Sequence, residues 1–489
     1  MRDPRSGSLG LAALRALNLA ILSLAILSLA ILSLAIPAPG AGIPLAQEEA
    51  APDRTAASLP EPFPMDLEVA VQALREARAA CAADDGELWG IPLCGPFLFA
   101  EAESRAVVAS QAPAEMPTPE GLLTSRGELL VGRLPERLSA TNTAVDWAGT
   151  HWTLLRWPLP STPRVRTQLL LHESFHRIQE SRLELPLSNP ANPHLDELEG
   201  RIWLQLEWRA LTRAVKGSGE NRRQALQDAF VFRRFRHELY PDGRSTERLL
   251  EMNEGLAEDT GVALAFPEHR KRQRRVLGGL EHGAAQPTFV RSFAYASGPA
   301  LGFLLDDLAP GWRRELSAED DLGARLARAA GFSLPEDLRE TAAARALAYD
   351  GAALREAETR RWETKQRRVA ELEALLVTGP VLTLPLREAN VSFDPGNLVP
   401  LGDHGTVYPT MRTTDVWGVL ELDGSGEAGA LVSTDWSTVR VPVPPEIPQR
   451  LLEGGDGLPS TLEGDGWTLE LTEGWRVTRQ PDGGLTLVR

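Results

Sequence analysis

Two histidines four residues apart, with a glutamate directly after the first, restrict the local fold of this chain more than any other feature: His172-Glu173-Ser174-Phe175-His176. Side chains at i and i+4 stack on one face of an α-helix, so on a helix both imidazoles can reach the same metal ion. Glu173 then lies beside them, against the place of a metal-bound water. The flanking residues ask for the same helix. Thr162-Pro163 reads as an N-cap followed by proline at the first helical position, and Leu171, Phe175 and Ile178 form an apolar stripe, so a helix is expected over 162–182. Arg164 and Arg166 oppose it, because cations in a first turn forfeit about 0.3–1 kcal/mol of dipole stabilisation.

The motif alone also arises by chance on surface helices, so a third ligand is required: a catalytic zinc ion takes three protein ligands and keeps one position open. Asn253-Glu254-Gly255-Leu256-Ala257-Glu258-Asp259 reads as the middle of a second helix over about 246–265. Glu254 is the candidate ligand. The 77 residues between His176 and Glu254 leave room for a helical excursion that returns one helix to the other. Gly255 costs up to about 1 kcal/mol inside a helix, which points to close approach by another helix or by a ligand. Glu258, one turn on, is placed to accept a hydrogen bond from the distal nitrogen of a metal-bound histidine. Taken singly, each acid would more often belong to a solvated face than to a metal site.

HExxH followed by NEGLAED resembles the gluzincin metallopeptidases, which include thermolysin-like and alanyl-aminopeptidase-like enzymes. The resemblance implies that His172, His176 and Glu254 bind one zinc ion, that Glu173 is the general base and that Glu258 supports a histidine. Phe293-Ala294-Tyr295-Ala296-Ser297-Gly298 is similar to the YxxG segment of the aminopeptidase-like branch, which implies that the Tyr295 hydroxyl steadies an oxyanion. Core packing is the alternative for an aromatic in so apolar a run. The resemblance covers about 140 residues, Thr162 to Leu301. No GxMEN-like strand precedes the HExxH, and the interval to Glu254 is longer than in alanyl aminopeptidases, so neither endo- nor exopeptidase action follows.

The first 46 residues read as a secretory signal or an uncleaved N-terminal anchor: Arg2, Arg5 and Arg15 precede an apolar stretch from Leu17 to Ile36. Residues 47–65, rich in Ala, Pro and Glu, read as a disordered leader. A secreted or periplasmic chain makes Cys81 and Cys94, the only two cysteines, a candidate disulfide. The formal charge is −16, and residues 1–46 carry three arginines and one aspartate, so the rest of the chain stands at −18. Nucleic acid is therefore not an expected partner, and the basic run His269 to Arg275 reads as a solvated helix end.

The expected fold class is α+β. A mainly helical, zincin-like domain over 66–335 is preceded by strands within 90–160 and followed by a long charged helix over 336–378 and a small β domain over 379–489. The stretch His151 to Trp157 is a candidate edge strand for pairing with a substrate backbone, with core packing of Trp147, Trp152 and Trp157 as the other reading. Pro481-Asp482-Gly483-Gly484 reads as a hairpin turn. The activity implied is hydrolysis of a peptide or protein substrate. The rival is a non-catalytic exported binding or structural protein whose metal site is structural, inactive or absent and whose C-terminal β domain binds a glycan or protein.

Overall fold

The computed structural model describes residues 62–115, 123–394, 397–443, 460–479 and 484–489. The signal or anchor expected over 1–46 lies outside them, as do most of the leader and most of the Pro481–Gly484 turn. After one helix, strands, then helices, then strands again follow along the chain, an α+β fold. It divides into two compact units between Glu358 and Thr359.

The first unit opens with α1 (Leu67–Asp84), whose N-terminus is capped by the Asp66 carboxylate accepting from the amides of Glu68 and Val69. Phe63 and Met65 pack against the same core as Leu74, Phe97 and Val108, so the end of the stretch expected as a leader belongs to the fold. Two apolar side chains with a core to enter outweigh a composition rich in Pro and Glu.

Six strands follow: β1 (Phe97–Glu101), β2 (Ala106–Ala109), β3 (Thr124–Arg126), β4 (Leu129–Arg133), β5 (Thr143–Trp147) and β6 (Thr150–Trp157). They form one sheet in the order β3-β4-β2-β1-β6-β5, antiparallel except for the parallel pair β1 and β6. β6 is therefore an interior strand and cannot offer the open edge expected of His151–Trp157. Its residues Trp152, Thr153, Leu154 and Leu155 are all buried, as a strand covered on both faces requires. The edge strands of this sheet are β3 and β5. Trp147 and Trp152 pack in the core of one sheet face.

Beyond the sheet come α2 (Pro163–Leu183), α3 (Leu198–Lys216), α4 (Gly219–Leu239), α5 (Gly243–Leu250), a π-helical turn (Glu251–Gly255), α6 (Leu256–Ala265), α7 (His269–Ala284), α8 (Phe293–Leu308) and α9 (Leu322–Ala329). Phe175, Trp208, Phe232, Phe293 and Phe303 lie in their shared core. The two arginines in the first turn of α2 have partners that offset the dipole. Arg166 is buried against Glu76 of α1, with N–O distances of 2.8–3.0 Å, and Arg164 donates to the Ala265 carbonyl at the end of α6 at 2.8 Å.

The single helix expected over 336–378 is broken. α10 (Leu338–Ala346) ends in a 3-10 turn, Asp350 adopts a left-handed conformation with φ of 53°, and α11 (Gly351–Glu373) starts afresh before a π turn at Ala374–Thr378. Tyr349 supplies the cause: it is buried, and its hydroxyl donates to Asp228 at 2.9 Å, which pulls the chain into the core at that point. In the second unit, strands between Val381 and Val488 make a seven-stranded and a five-stranded sheet. Leu382, Leu384, Trp417, Leu420 and Trp467 from both sheets share one core.

Candidate metal centre

Helix α2 presents His172 and His176 on one face, and the π turn brings Glu254 across from them. The Nε2 atoms of His172 and His176 are 3.2 Å apart, and Glu254 Oε2 lies 3.4 Å from the first and 3.5 Å from the second. Zinc bound tetrahedrally by nitrogen and oxygen at about 2.0–2.1 Å has ligand-to-ligand edges of about 3.3 Å. The triangle fits that size. Among the described residues it is the one group of three His, Cys, Asp or Glu side chains that could hold a metal ion.

The far side of each imidazole is fixed as well. His172 Nδ1 donates to Glu258 Oε2 at 3.0 Å, and His176 Nδ1 donates to Gln179 Oε1 at 2.9 Å. Both acceptors fix Nδ1 as a donor, which turns each Nε2 to the centre, where its lone pair serves a metal once any proton there has left. The Gln179 oxygen must be the acceptor, because its Nε2 is committed to the carbonyls of Pro186 at 2.7 Å and Met252 at 3.3 Å. Glu258 is held in turn by Gln168 Nε2 at 2.5 Å, and Arg275 donates to Gln168 Oε1 at 2.8 Å. Asp259 turns away to Arg313, at 2.5 and 3.0 Å, as its rotation on the helix requires.

Close helix contacts make this convergence possible. A Cβ on Gly298 of α8 would lie 2.3 Å from the Gly255 carbonyl oxygen, and one on Gly261 would lie 2.6 Å from the Gln168 carbonyl oxygen of α2. The interior glycine at 255 thus marks a backbone contact with α8. Tyr295, one turn before Gly298, stacks its ring on His172, with centroids 5.7 Å apart and planes at 4°, and its hydroxyl donates to Glu254 Oε2 at 2.6 Å. Tyr295 therefore reaches the ligand group, where its hydroxyl bonds the Glu254 carboxylate. Arg291 lies in the turn just ahead of α8; burial lowers its pKa, against the pull of Glu254 and Tyr295, and it makes no hydrogen bond or ion pair to a described residue.

Electrostatics follow from burial and pairing. Burial disfavours the charged form of His172, yet hydrogen bonds to Glu254 and Glu258 outweigh it and hold the imidazole well above its ordinary value. His176 is raised in the same way, chiefly through Glu254. Burial pushes Glu254 up, but its hydrogen bonds to the two histidines hold it well below the usual carboxylate range. Glu173 is buried, raised by that burial against the pull of His172 and His176, and hydrogen-bonded to no described residue. A buried carboxylate with no hydrogen bond to a described residue, next to two potential metal ligands, can act as a base.

Cys81 and Cys94 form a disulfide with Cα atoms 5.9 Å apart. It closes a loop that carries Trp89, whose ring lies 5.0 Å from Phe175 within the HExxH and whose indole N–H donates to Thr260 Oγ1 of α6 at 3.1 Å. The loop thus braces α2 and α6 from behind the histidines. Gln168, Gln179, Arg291 and the π turn are parts of the site that the sequence reading omitted. Gln179 sits three residues after His176 on the same helix, a spacing that would have singled it out. Comparison with protein-family models, curated proteins and solved structures gave no match.

Proposed function

We propose that the chain is an exported zinc metallopeptidase of gluzincin type. The observation that carries this reading is the His172, His176 and Glu254 triangle with both Nδ1 atoms fixed as donors and a buried Glu173 beside it. Bound there, zinc would polarise the scissile carbonyl and lower the pKa of a water towards about 7. Glu173 takes the proton of the attacking water and passes it to the amine as the carbon–nitrogen bond breaks. The Tyr295 hydroxyl, released from Glu254, donates to the oxyanion that forms on the carbonyl oxygen. The open edge of β5 offers backbone groups to an extended peptide, and Arg291 offers a cation to an anionic group on it. The disulfide supports export to an oxidising compartment. Among the described residues, no helix is long and apolar enough to cross a membrane.

The test is Glu173→Gln. The variant is expected to keep wild-type zinc content and melting temperature while losing hydrolysis of an unstructured protein substrate. Zinc-loaded wild type that cleaves nothing across broad peptide libraries would instead support a structural metal site and a binding role for the C-terminal β unit.

A further inference from the structure

Glu247, Glu251, Glu254 and Glu258 follow one another at intervals of four, three and four residues. On an uninterrupted α-helix they would fall within an arc of about 60°, all facing one way. In the structure they face two ways. Glu254 and Glu258 meet the histidines of α2, whereas Glu247 and Glu251 enter a buried cage of arginines contributed by α4. The π turn at Glu251–Gly255, in which the Leu256 amide donates to the Glu251 carbonyl, separates the two pairs. One residue inserted into a turn swings everything after it by about 100° relative to an α-helix.

A π turn is the less stable local conformation and persists only where surrounding structure holds it. Here it is gripped at its first residue. Arg233 binds Glu251 through two parallel bonds of 2.7 and 2.6 Å and reaches Glu207 of α3 at 2.8 Å. Arg236 ties Glu207 at 2.8 Å to Glu247 at 2.6 and 3.0 Å, and Glu247 also meets His194 at 2.8 Å and His237 at 3.0 Å. On the opposite side, the Met252 carbonyl accepts from Gln179, the residue that orients His176. Burying so many charges is a poor route to stability, since well-packed apolar residues commonly do as well or better. A bidentate pair does fix orientation, which apolar packing does less sharply.

We infer that the Arg233–Glu251 pair sets the π turn that aims Glu254 at His172 and His176, so that both are positioning residues of the metal centre. The inference rests on the reading of those three side chains as a metal site. Its test is titration of the full chain with zinc, and separately with cobalt, whose visible spectrum reports ligand geometry. Both are done below the melting temperature of each variant. Glu251→Gln, and the double replacement Arg233→Met with Glu251→Met that leaves no orphaned charge, are expected to weaken zinc binding about 10- to 100-fold and to change the cobalt spectrum. Glu247→Gln, in the same cage but outside the π turn, is expected to lower the melting temperature with zinc affinity and spectrum unchanged. Wild-type affinity and spectrum in both Glu251 variants would overturn the inference. So would an equal loss of affinity in Glu247→Gln, which would make the cage a source of stability alone. A wild-type chain that binds neither metal would remove the metal site itself, and this inference with it.

Discussion

Replacing Glu254 by Ala removes one vertex of the ligand triangle, whereas replacing Glu258 by Ala removes only the acceptor behind His172 Nδ1. The two losses differ in size. Structural zinc held by four protein ligands is worth about 10–16 kcal/mol, roughly 3–4 kcal/mol per ligand, so losing Glu254 should weaken zinc about 10²- to 10³-fold or more. Losing a partner behind a ligand costs about 10- to 100-fold. The Glu258 effect should fall within that range without relief from its neighbour Gln168, whose oxygen already accepts from Arg275. The assay is competition for zinc against a chromophoric chelator at fixed pH, with circular dichroism to show that each variant is folded. A smaller loss for Glu254→Ala than for Glu258→Ala, or equal losses, would refute the assignment of Glu254 to the metal and Glu258 to its support.

Gly298→Ala should be far more damaging than alanine in a helix usually is. Its Cβ would lie 2.3 Å from the Gly255 carbonyl oxygen and force α8 off the π turn. A loss of about 1–3 kcal/mol or more in denaturant unfolding, together with weaker zinc binding, is expected, and a neutral variant would contradict the contact. Zinc affinity should climb as pH rises from the ordinary histidine value of about 6.5 towards the raised values of His172 and His176, because both rings hold their protons across that interval and the metal must displace them. Those same protons stabilise the metal-free fold below the ordinary histidine pKa, and that contribution is lost as pH passes the raised values. Metal-free protein should therefore become less stable over the interval in which affinity rises. Flat affinity across the interval would contradict the pairing with Glu254.

The helix over 162–182 was readable to within a residue, because its signals are local: Pro at the start, and an apolar stripe of Leu171, Phe175 and Ile178 that has to be buried. Gly255 was readable as a close approach, though not as an approach to Gly298 in particular, since which backbone fills the gap is decided by tertiary packing. The edge of the sheet was misread for a related reason. β6 pairs in parallel with β1 across more than fifty residues, and alternation along one strand says nothing about which neighbour arrives from so far away. The i+3 spacing from His176 made Gln179 a candidate partner, but only Pro186 and Met252 fix which of its ends faces the ring. The π turn escaped because Glu-Met-Asn-Glu-Gly has no composition that distinguishes it from an ordinary helical turn.

Charge explains why the metal-free site can stand assembled. Glu173, Glu254 and Glu258 bring three carboxylates around two imidazoles, an arrangement that would repel itself if both rings were neutral. Raised histidine pKa values are the response: below those values the rings gain protons, and positive charge sits where a divalent ion would otherwise be. Exchanging two such protons for one ion of charge +2 leaves the total charge of the cluster unchanged. The surrounding dipoles and the bonds to Gln179, Gln168 and Tyr295 then meet the same field before and after binding. A site built this way needs little rearrangement to accept metal, and it must release up to two protons for each ion taken up below the raised pKa values. Calorimetric titration in buffers of different ionisation enthalpy counts those protons. Release of none would mean that the histidines are neutral in the free protein and that Glu254 meets them only once the metal has arrived.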